Sequence, residues 1–263
     1  MEKRPEIIPL FSSTYYMDKK QFIFGTRAVI EAIRAGRDID KVFIQSGLNN
    51  DLIKELIQLA KDSDVSFTFA PAQKLSAFPG KNHQGVVAAL SAVHFESLEN
   101  IVHNIFSTGR DPFILVLDRI TDVRNFGAIV RSAEAAGIDA IVIPEKGNAP
   151  VSADAMKTSA GALNYVPVCR SKDLRQSIKE LRNSGLRVIA CTEKAEELAY
   201  SVPMEGPLAL IMGSEEDGIA PEILRQADGL VKIPMQGKIQ SLNVSVAAGI
   251  ILFEAVRQRT ARD

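Results

Sequence analysis

The stretch from Val231 to Arg257 constrains the fold of this chain more than any other. It begins as a short apolar strand that stops at Pro234, and it reaches Ser241-Leu242-Asn243 after a polar loop. An apolar helix is predicted from Val244 to about Arg257. So continuous an apolar run is typical of a helix buried between layers or at a subunit contact. The polar triplet lies where a strand ends and a helix begins, which is where open parallel sheets hold their ligands.

Two other stretches have the same order of strand, polar loop and helix, namely 117–131 and 210–219. Alternation of strands and helices continues between them, which predicts an α/β domain with a mostly parallel, doubly wound sheet. Its strands are predicted at 113–117, 140–143, 166–169, 188–191, 208–212 and 230–233. The helices between them are predicted at 125–136, 153–162, 173–183 and 221–226.

The rest of the chain divides into three parts. Residues 1–20 mix charge, proline and tyrosine and are predicted to be a flexible extension. Residues 21–93 alternate between helix and strand and predict a smaller α/β domain. A linker with a short helix is predicted at 94–111, so the larger domain would occupy 112–263.

Composition excludes several classes of protein. The chain has 263 residues, 46% of them hydrophobic, and a net charge of -1, which argues against a strongly basic nucleic-acid coat but leaves room for a local basic face. Cys169 and Cys191 lie in apolar runs and are predicted to be buried in a protein of the reducing cytosol. The three histidines lack metal-ligand spacing, so no zinc site is expected, and no apolar run is long enough for a membrane segment.

Known nucleotide-binding motifs are also missing. There is no G-x-G-x-x-G after the first strand of the larger domain. Gly213 and Gly218 have the outer spacing of a phosphate loop, but Ile219-Ala220 stand where its Lys and Ser/Thr belong. ATP hydrolysis and dinucleotide redox chemistry are therefore poorly supported.

Taken together, the three polar stretches resemble the motifs of the SpoU-type RNA ribose 2'-O-methyltransferases of the SPOUT superfamily. The resemblance runs from about Pro112 to Arg259 and implies S-adenosylmethionine as cofactor, a trefoil-knot methyltransferase domain and a homodimer formed through it. The start Phe-Gly-Thr-Arg-Ala-Val at Phe24 is similar to the family's smaller domain, which resembles the ribosomal L30e-like fold and grips RNA. The pattern is most similar to members that methylate a guanosine of 23S rRNA. A tRNA substrate, or a non-catalytic RNA-binding protein of ribosome assembly, is the alternative.

The resemblance also implies the residues of the site. The cofactor would be held largely through the main chain of Gly213, Ile233 and Leu242, with Met212 and Met235 as apolar wall. Gly213 is expected to let the backbone approach the ligand closely. The acceptor side would carry five polar residues: Asn125, Arg131, Glu215, Ser241 and Asn243.

Each of these residues also has a purely structural interpretation. Asn125, Ser241 and Asn243 could cap helices, Glu215 could be an ordinary loop carboxylate, and Ile233 and Leu242 could be core residues. Arg131 lies within an apolar helical run, which is unusual for a solvated charge. A role as general base is physically awkward because arginine stays protonated to about pH 12. We therefore expect Arg131 to hold the target phosphate and stabilise the developing alkoxide.

RNA contacts in the smaller domain are predicted at Lys81, His83 and Arg27. The first two belong to the polar sequence 81–85, whose side chains can donate to phosphates or base edges. The alternative is a polar turn before a strand, with Arg27 as an ordinary surface charge. The expected partner is RNA, and the expected location is the cytoplasm.

Overall fold

The computed structural model describes residues 21–78, 83–238 and 241–260. The chain forms two compact units, Met1–Leu90 and Ser91–Asp263. The predicted extension at 1–20 and Lys81 lie outside the described residues. No helix in the described part is long and apolar enough to cross a membrane.

The first unit is a four-stranded sheet with helices. Its elements are β1 (Phe22–Phe24), α1 (Thr26–Arg34), β2 (Ile39–Gln45), α2 (Asp51–Asp62), β3 (Phe67–Ala70), α3 (Ala72–Leu75) and β4 (Val86–Leu90). The strand order is β1-β4-β2-β3, and only the β2–β3 pair is parallel. The predicted α/β alternation of this unit is confirmed.

Helix α1 shows how local sequence sets these boundaries. Its buried residues Val29, Ile30 and Ile33 fall on one face at helical spacing. The helix ends before Gly36, whose φ of 67° lies in the left-handed region, as is common for a glycine that terminates a helix. The amide of Arg37 donates back to Ala32 O at 3.0 Å and closes the end.

The second unit contains one sheet of eight strands in the order β10-β12-β9-β11-β6-β7-β8-β5. In chain order the strands are β5 (Phe95–Glu96), β6 (Phe113–Asp118), β7 (Ala140–Pro144), β8 (Val168–Ser171), β9 (Arg187–Cys191), β10 (Glu197–Leu198), β11 (Leu208–Gly213) and β12 (Gly229–Lys232). Every pairing in it is parallel. The predicted parallel sheet is confirmed.

Helices cover both faces of this sheet. They are α4 (Leu98–Ser107), α5 (Val123–Ala135), α6 (Ala153–Thr158), α7 (Leu174–Asn183), α8 (Pro221–Leu224) and α9 (Val244–Thr260). Alternate residues of β6 enter two separate cores: Leu115 and Leu117 pack with residues of α5 and α9, and Ile114 and Val116 with residues of α4 and α7. The period of two along a strand buried on both faces explains the continuous apolar runs.

The segment expected to be a linker contributes structure to the second unit. Strand β5 pairs with β8 at the sheet edge, with Phe95 opposite Val168. Helix α4 buries Val102 and Ile105. Because apolar residues recur at helical spacing in α4, the helix has a face to bury and cannot act as a spacer.

Helix α9 lies against α5 and buries one face, with Val244, Ala248, Ile251, Leu252 and Ala255 in the core. Its other face leaves Val246 and Phe253 exposed. The predicted helix is confirmed, but only part of its apolar surface is buried within this chain. The trefoil knot implied by the family resemblance stays a prediction.

Candidate active site

Three segments converge at the carboxyl edge of the large sheet. Strand β6 ends at Asp118, which pairs with Gly213 at the end of the neighbouring strand β11. The order in which strands are added to the sheet changes direction here, because β7 lies on one side of β6 and β11 lies on the other. Such switch points are where open parallel sheets bind ligands. The polar residues predicted after these strands are therefore brought to one edge.

Asn243 is the centre of the polar network. Its Nδ2 donates to Asn125 Oδ1 at 3.0 Å and to Glu215 Oε1 at 2.6 Å. Its Oδ1 accepts from the amide of Ser245 at 3.0 Å and from the Ser245 hydroxyl at 2.5 Å. The structural interpretation of Asn243 as a helix cap is thus correct, and the same side chain also joins two other predicted site residues.

Asn125 does not cap a helix. Helix α5 begins two residues earlier than predicted, and Asp122 is its N-cap, accepting from the amides of Arg124 at 2.8 Å and Asn125 at 2.9 Å. A carboxylate is a good acceptor for the free amides of a first turn. The side chain of Asn125 is therefore available to Asn243.

Arg131 is exposed, although it lies within an apolar helical run. Its neighbours Ile129 and Val130 face the core, but the helical repeat turns position 131 outward. Among the described residues its guanidinium has no hydrogen-bond or ion-pair partner. A charged side chain on a rigid helix can bind an anion without first breaking an ion pair.

Glu215 anchors a backbone amide, though not one of its own loop. Its Oε1 accepts from the amide of Val244 at 3.3 Å as well as from Asn243. Negative charge near the first turn of α9 is favourable for the helix dipole. Ser241 is exposed, and no described residue hydrogen-bonds to its side chain.

The physical reason for a glycine at position 213 differs from the expected close approach of a ligand to the backbone. A Cβ at this position would lie 2.3 Å from Gly218 C and from Ile219 N. The space is thus occupied by the chain's own returning loop, which closes through paired hydrogen bonds of 3.1 Å between Ser214 and Gly218. Glycine is required here so that the loop can fold back against the strand end.

Sequence reasoning missed Asp118 and Arg119. Asp118 is only 3% exposed, and its Oδ2 accepts from the amide of Ala220 at 2.7 Å. Arg119 forms a two-point ion pair with it, at 3.0 and 3.1 Å. The hydrogen bond to Asp118 raises the pKa of the Arg119 guanidinium above its ordinary value. A charged pair directly after the buried run Phe113–Asp118 was the signal that could have found them.

The predicted cofactor residues differ in exposure. Met212 is buried in the core, Ile233 is partly buried against it, and Met235 and Leu242 are exposed. Gly213 is the last residue of β11, Ile233 follows β12, and Leu242 lies just before α9, which starts at Val244. Apolar side chains next to free main-chain groups suit a ligand with an adenine ring.

Strand β9 also ends at this edge of the sheet, and its place there could not be predicted from its apolar run. It lies between β11 and β12, with Leu230 opposite Ala190 and Ile211 opposite the same residue on the other side. The loop that follows Cys191 begins with the buried Thr192. Because β9 lies between β11 and β12, this loop lies between the two predicted cofactor segments, which follow those strands. Only the strand order reveals this.

The RNA candidates of the first unit are less clear. His83 Nδ1 accepts from the amide of Gly85 at 3.0 Å, so the ring stabilises a local turn. This geometry favours the structural interpretation of His83 as part of a polar turn before a strand. Arg27 is exposed on α1.

The prediction that both cysteines are buried is confirmed for Cys169 and only in part for Cys191. Cys169 is buried and Cys191 partly buried, and both are free. Burial raises the pKa of each thiol to about 12, so both stay protonated at neutral pH. Among the described residues, no group of three or more His, Cys, Asp or Glu could hold a metal ion.

Two protein-family models match the chain. The SpoU rRNA Methylase family model matches residues 112–253, more than half of the chain. The model for RNA 2'-O ribose methyltransferase substrate binding matches residues 22–96. The chain belongs to the SpoU rRNA methylase family. It is accordingly an S-adenosylmethionine-dependent RNA 2'-O-methyltransferase.

Several methyltransferases match almost the whole chain. The 23S rRNA (guanosine-2'-O-)-methyltransferase RlmB of Xanthomonas campestris pv. campestris is 38% identical over 246 residues, covering 92% of this chain and 98% of the relative. A putative TrmH family tRNA/rRNA methyltransferase, YacO of Bacillus subtilis, is 33% identical, covering 90% of this chain and 96% of the relative. The AdoMet-bound rRNA methyltransferase of Sinorhizobium meliloti has a TM-score of 0.56 at 25% identity and covers 90% of this chain and 86% of that one.

Proposed function

We propose that this SpoU enzyme methylates the ribose 2'-hydroxyl of a guanosine in 23S rRNA. The choice of substrate rests on the similarity to the relative described above as a 23S rRNA (guanosine-2'-O-)-methyltransferase, whose match covers 92% of this chain. A match of that length includes both units, whereas the methyl-transfer motifs lie in the second unit alone. The RNA-binding part of the relative therefore has a counterpart here.

Asn243 acts in this proposal by positioning other groups. Both of its Nδ2 protons are used by Asn125 and Glu215, and its Oδ1 accepts from Ser245. An amide has no further donor, so Asn243 has none left for the RNA. Asn125 keeps its Nδ2 donors and Glu215 keeps Oε2, which no described residue contacts. These two groups orient the ribose hydroxyl, and Ser241 lies in the adjoining loop.

Arg131 supplies the positive charge. Its exposed guanidinium extends from the same helix that carries Asn125. A planar fork of donors binds a phosphate at two points and stabilises negative charge that develops on the ribose oxygen. Because arginine stays protonated, it acts by charge and not as the primary base.

The cofactor is held at the strand ends. S-adenosylmethionine supplies an electrophilic methyl group when bound. Gly213, Ile233 and Leu242 hold it through main-chain groups, and Met212 and Met235 form the apolar wall. The fit rests on the ends of β11 and β12, two parallel strands with β9 between them, and on the exposed apolar side chains of Met235 and Leu242.

We also propose a homodimer through the second unit. Val246 and Phe253 are 51% and 49% exposed, seven residues apart on α9, and so lie on one face. Two large exposed apolar side chains on one face of a helix can form part of an apolar patch, and such patches mark interaction sites. Light scattering tests this directly: Phe253→Asp should shift the protein to a monomer, whereas Tyr165→Asp, at another exposed aromatic position, should not.

The first unit is proposed to bind the RNA, with Arg27, His83 and Lys81 as contact residues. His83 would reach the RNA through Nε2, because its Nδ1 already accepts from the amide of Gly85. The proposed location of the enzyme is the cytoplasm. Unstructured RNA is recognised through bases, hydroxyls and phosphates, which needs a larger surface than a methyl-transfer site. RNA affinity should fall as salt rises, because phosphate contacts release counterions.

The decisive experiment compares substrates. Purified enzyme is incubated with radiolabelled S-adenosylmethionine and either 23S rRNA or total tRNA, and the methylated nucleotide is mapped by mass spectrometry. A single 2'-O-methylguanosine in 23S rRNA supports the proposal. Methylation of tRNA alone would show that the substrate is tRNA and not 23S rRNA, while the proposed 2'-O-methyl transfer would still hold. If calorimetry detected no binding of S-adenosylmethionine, the result would instead favour a non-catalytic RNA-binding protein.

A further inference from the structure

The loop 214–220 after β11 is held by the end of the neighbouring strand. Asp118 is the last residue of β6, and its buried carboxylate accepts from the amide of Ala220, 102 positions away in sequence. A buried carboxylate needs strong partners to offset its lost hydration. The second partner is Arg119, through two hydrogen bonds to the same carboxylate.

Arg119 reaches the loop itself. Its Nη2 donates to Gly218 O at 3.2 Å, and its Nη1 lies 3.3 Å from Asp217 Oδ2. One guanidinium therefore connects the end of β6 to two residues of the loop. Arg119 has a φ of 60°, in the left-handed region that side chains other than glycine rarely adopt. Such a conformation persists where surrounding contacts favour it strongly.

The same loop carries Glu215. Its carboxylate accepts from Asn243 and from the amide of Val244, at the start of α9. The hydrogen bonds between Ser214 and Gly218 close the loop, so that its two ends move together. The contacts of Arg119 at one side of the loop therefore set where Glu215 lies at the other.

We propose that Arg119, paired with Asp118, is a positioning residue for methyl transfer. It fixes the loop 214–220 so that Glu215 meets Asn243 and the end of β11 keeps the shape that binds the cofactor. Neither Arg119 nor Asp118 touches the reacting atoms. This inference rests on the proposed function of the same site.

The variant Arg119→Gly separates positioning from folding. It deletes the guanidinium and relieves the left-handed backbone, which glycine adopts freely. Because the buried Asp118 keeps its bond from Ala220 but loses its charged partner, we expect a folded protein with a lowered melting temperature, and its kinetics are measured well below that temperature. The KM for S-adenosylmethionine should rise about tenfold and kcat should fall about tenfold, the size expected when a hydrogen bond to a charged group is lost. Arg119→Lys keeps one charge without the fork and should recover part of both parameters.

Two controls define the mechanism. Arg175→Ala removes an exposed guanidinium that is paired with Asp173 on α7, and it should leave KM and kcat unchanged. In a Glu215→Gln background, Arg119→Gly should lower kcat much less than in the wild type, because both changes act through one loop. A purely structural role would give additive losses in kcat.

The results that overturn the inference are distinct from those that overturn the function. Wild-type protein that fails to bind S-adenosylmethionine in calorimetry would reject the proposed function and this inference with it. Normal binding and turnover by the wild type, together with unchanged KM and kcat in Arg119→Gly, would reject the inference alone. The same holds if Arg119→Gly lowers only the melting temperature.

Discussion

Asn243 donates to Asn125 Oδ1 at 3.0 Å, a hydrogen bond between side chains 118 positions apart in sequence. It joins the first turn of α9 to the first turn of α5, two helices that pack against each other. The orientation of the Asn243 amide is set by its other contacts, because Oδ1 must face the amide of Ser245. The bond therefore has a defined donor and acceptor.

Asn243→Ser tests this bond without removing the helix cap. Serine caps a helix about as well as asparagine, but it cannot donate to both Asn125 and Glu215. We expect kcat to fall by on the order of a hundredfold, with the melting temperature and the affinity for S-adenosylmethionine little changed. Asn243→Asp should be worse, because it places a second carboxylate against Glu215. Equal activity of Asn243→Ser and wild type would show that the network has no part in the reaction.

Arg131→Ala should lower kcat by on the order of a hundredfold or more, as when a group that stabilises developing charge is lost. Its exposure and lack of a described partner predict an unchanged melting temperature. Arg131→Lys should also lose most activity, since a point charge does not replace a planar fork. The matched control is Glu134→Ala, an exposed position less than one turn away on the same helix. Near-normal turnover of Arg131→Ala would exclude a catalytic role.

Gly213→Ala should disrupt the loop that follows β11. Its added Cβ would meet the backbone of Gly218 and Ile219, which cannot move without breaking the loop. Overpacking of this kind costs about 1–3 kcal/mol, and the affinity for S-adenosylmethionine should fall as well. Gly229→Ala is the control, because a Cβ there has no neighbour within 4 Å. Calorimetry and thermal melting of both variants would show whether Gly213 is needed for the reason given.

Glu254 predicts a pH dependence of stability. It is 8% exposed, and hydrogen bonds from Arg257 and Gln258 lower the pKa of its carboxyl. A carboxyl whose folded-state pKa is lowered stabilises the protein above its unfolded pKa of roughly 4.3, and this contribution is lost as pH falls through the folded-state pKa. The melting temperature of Glu254→Gln should therefore be below wild type at neutral pH and approach it under acid conditions. A constant difference across pH would contradict this.

The boundary between the units can be tested with shortened chains. A chain of residues 91–263 keeps β5 and α4 and should fold and bind S-adenosylmethionine, while losing most methylation of natural RNA through weaker RNA binding. A chain of residues 111–263 lacks the α4 residues Val102 and Ile105 and should be less stable, by roughly 2 kcal/mol or more per lost large apolar side chain. If the 91–263 chain methylated natural RNA as well as the full protein, the first unit would not be the RNA-binding part.

The sequence alone determined most of the helices and strands of this protein, but not the edge strands β5 and β10. Apolar runs, helical periodicity and stop signals such as Gly36 act over about ten residues, so the predicted strands and helices agree closely with the structure. The start of α5 was missed by two residues, because Asp122 rather than Asn125 caps it. The family motifs also identified Asn125, Glu215 and Asn243 as one group before their contacts were seen.

Tertiary structure decided what those residues touch. The bond from Asn243 to Asn125, the place of β9 between β11 and β12, and the contact of Arg119 with Gly218 all join segments far apart in sequence. Local patterns carry no information on strand order, because every buried parallel strand has the same apolar pattern. For the same reason the outward direction of Arg131 and the backbone packed against Gly213 became visible only when helix and loop were placed on the sheet.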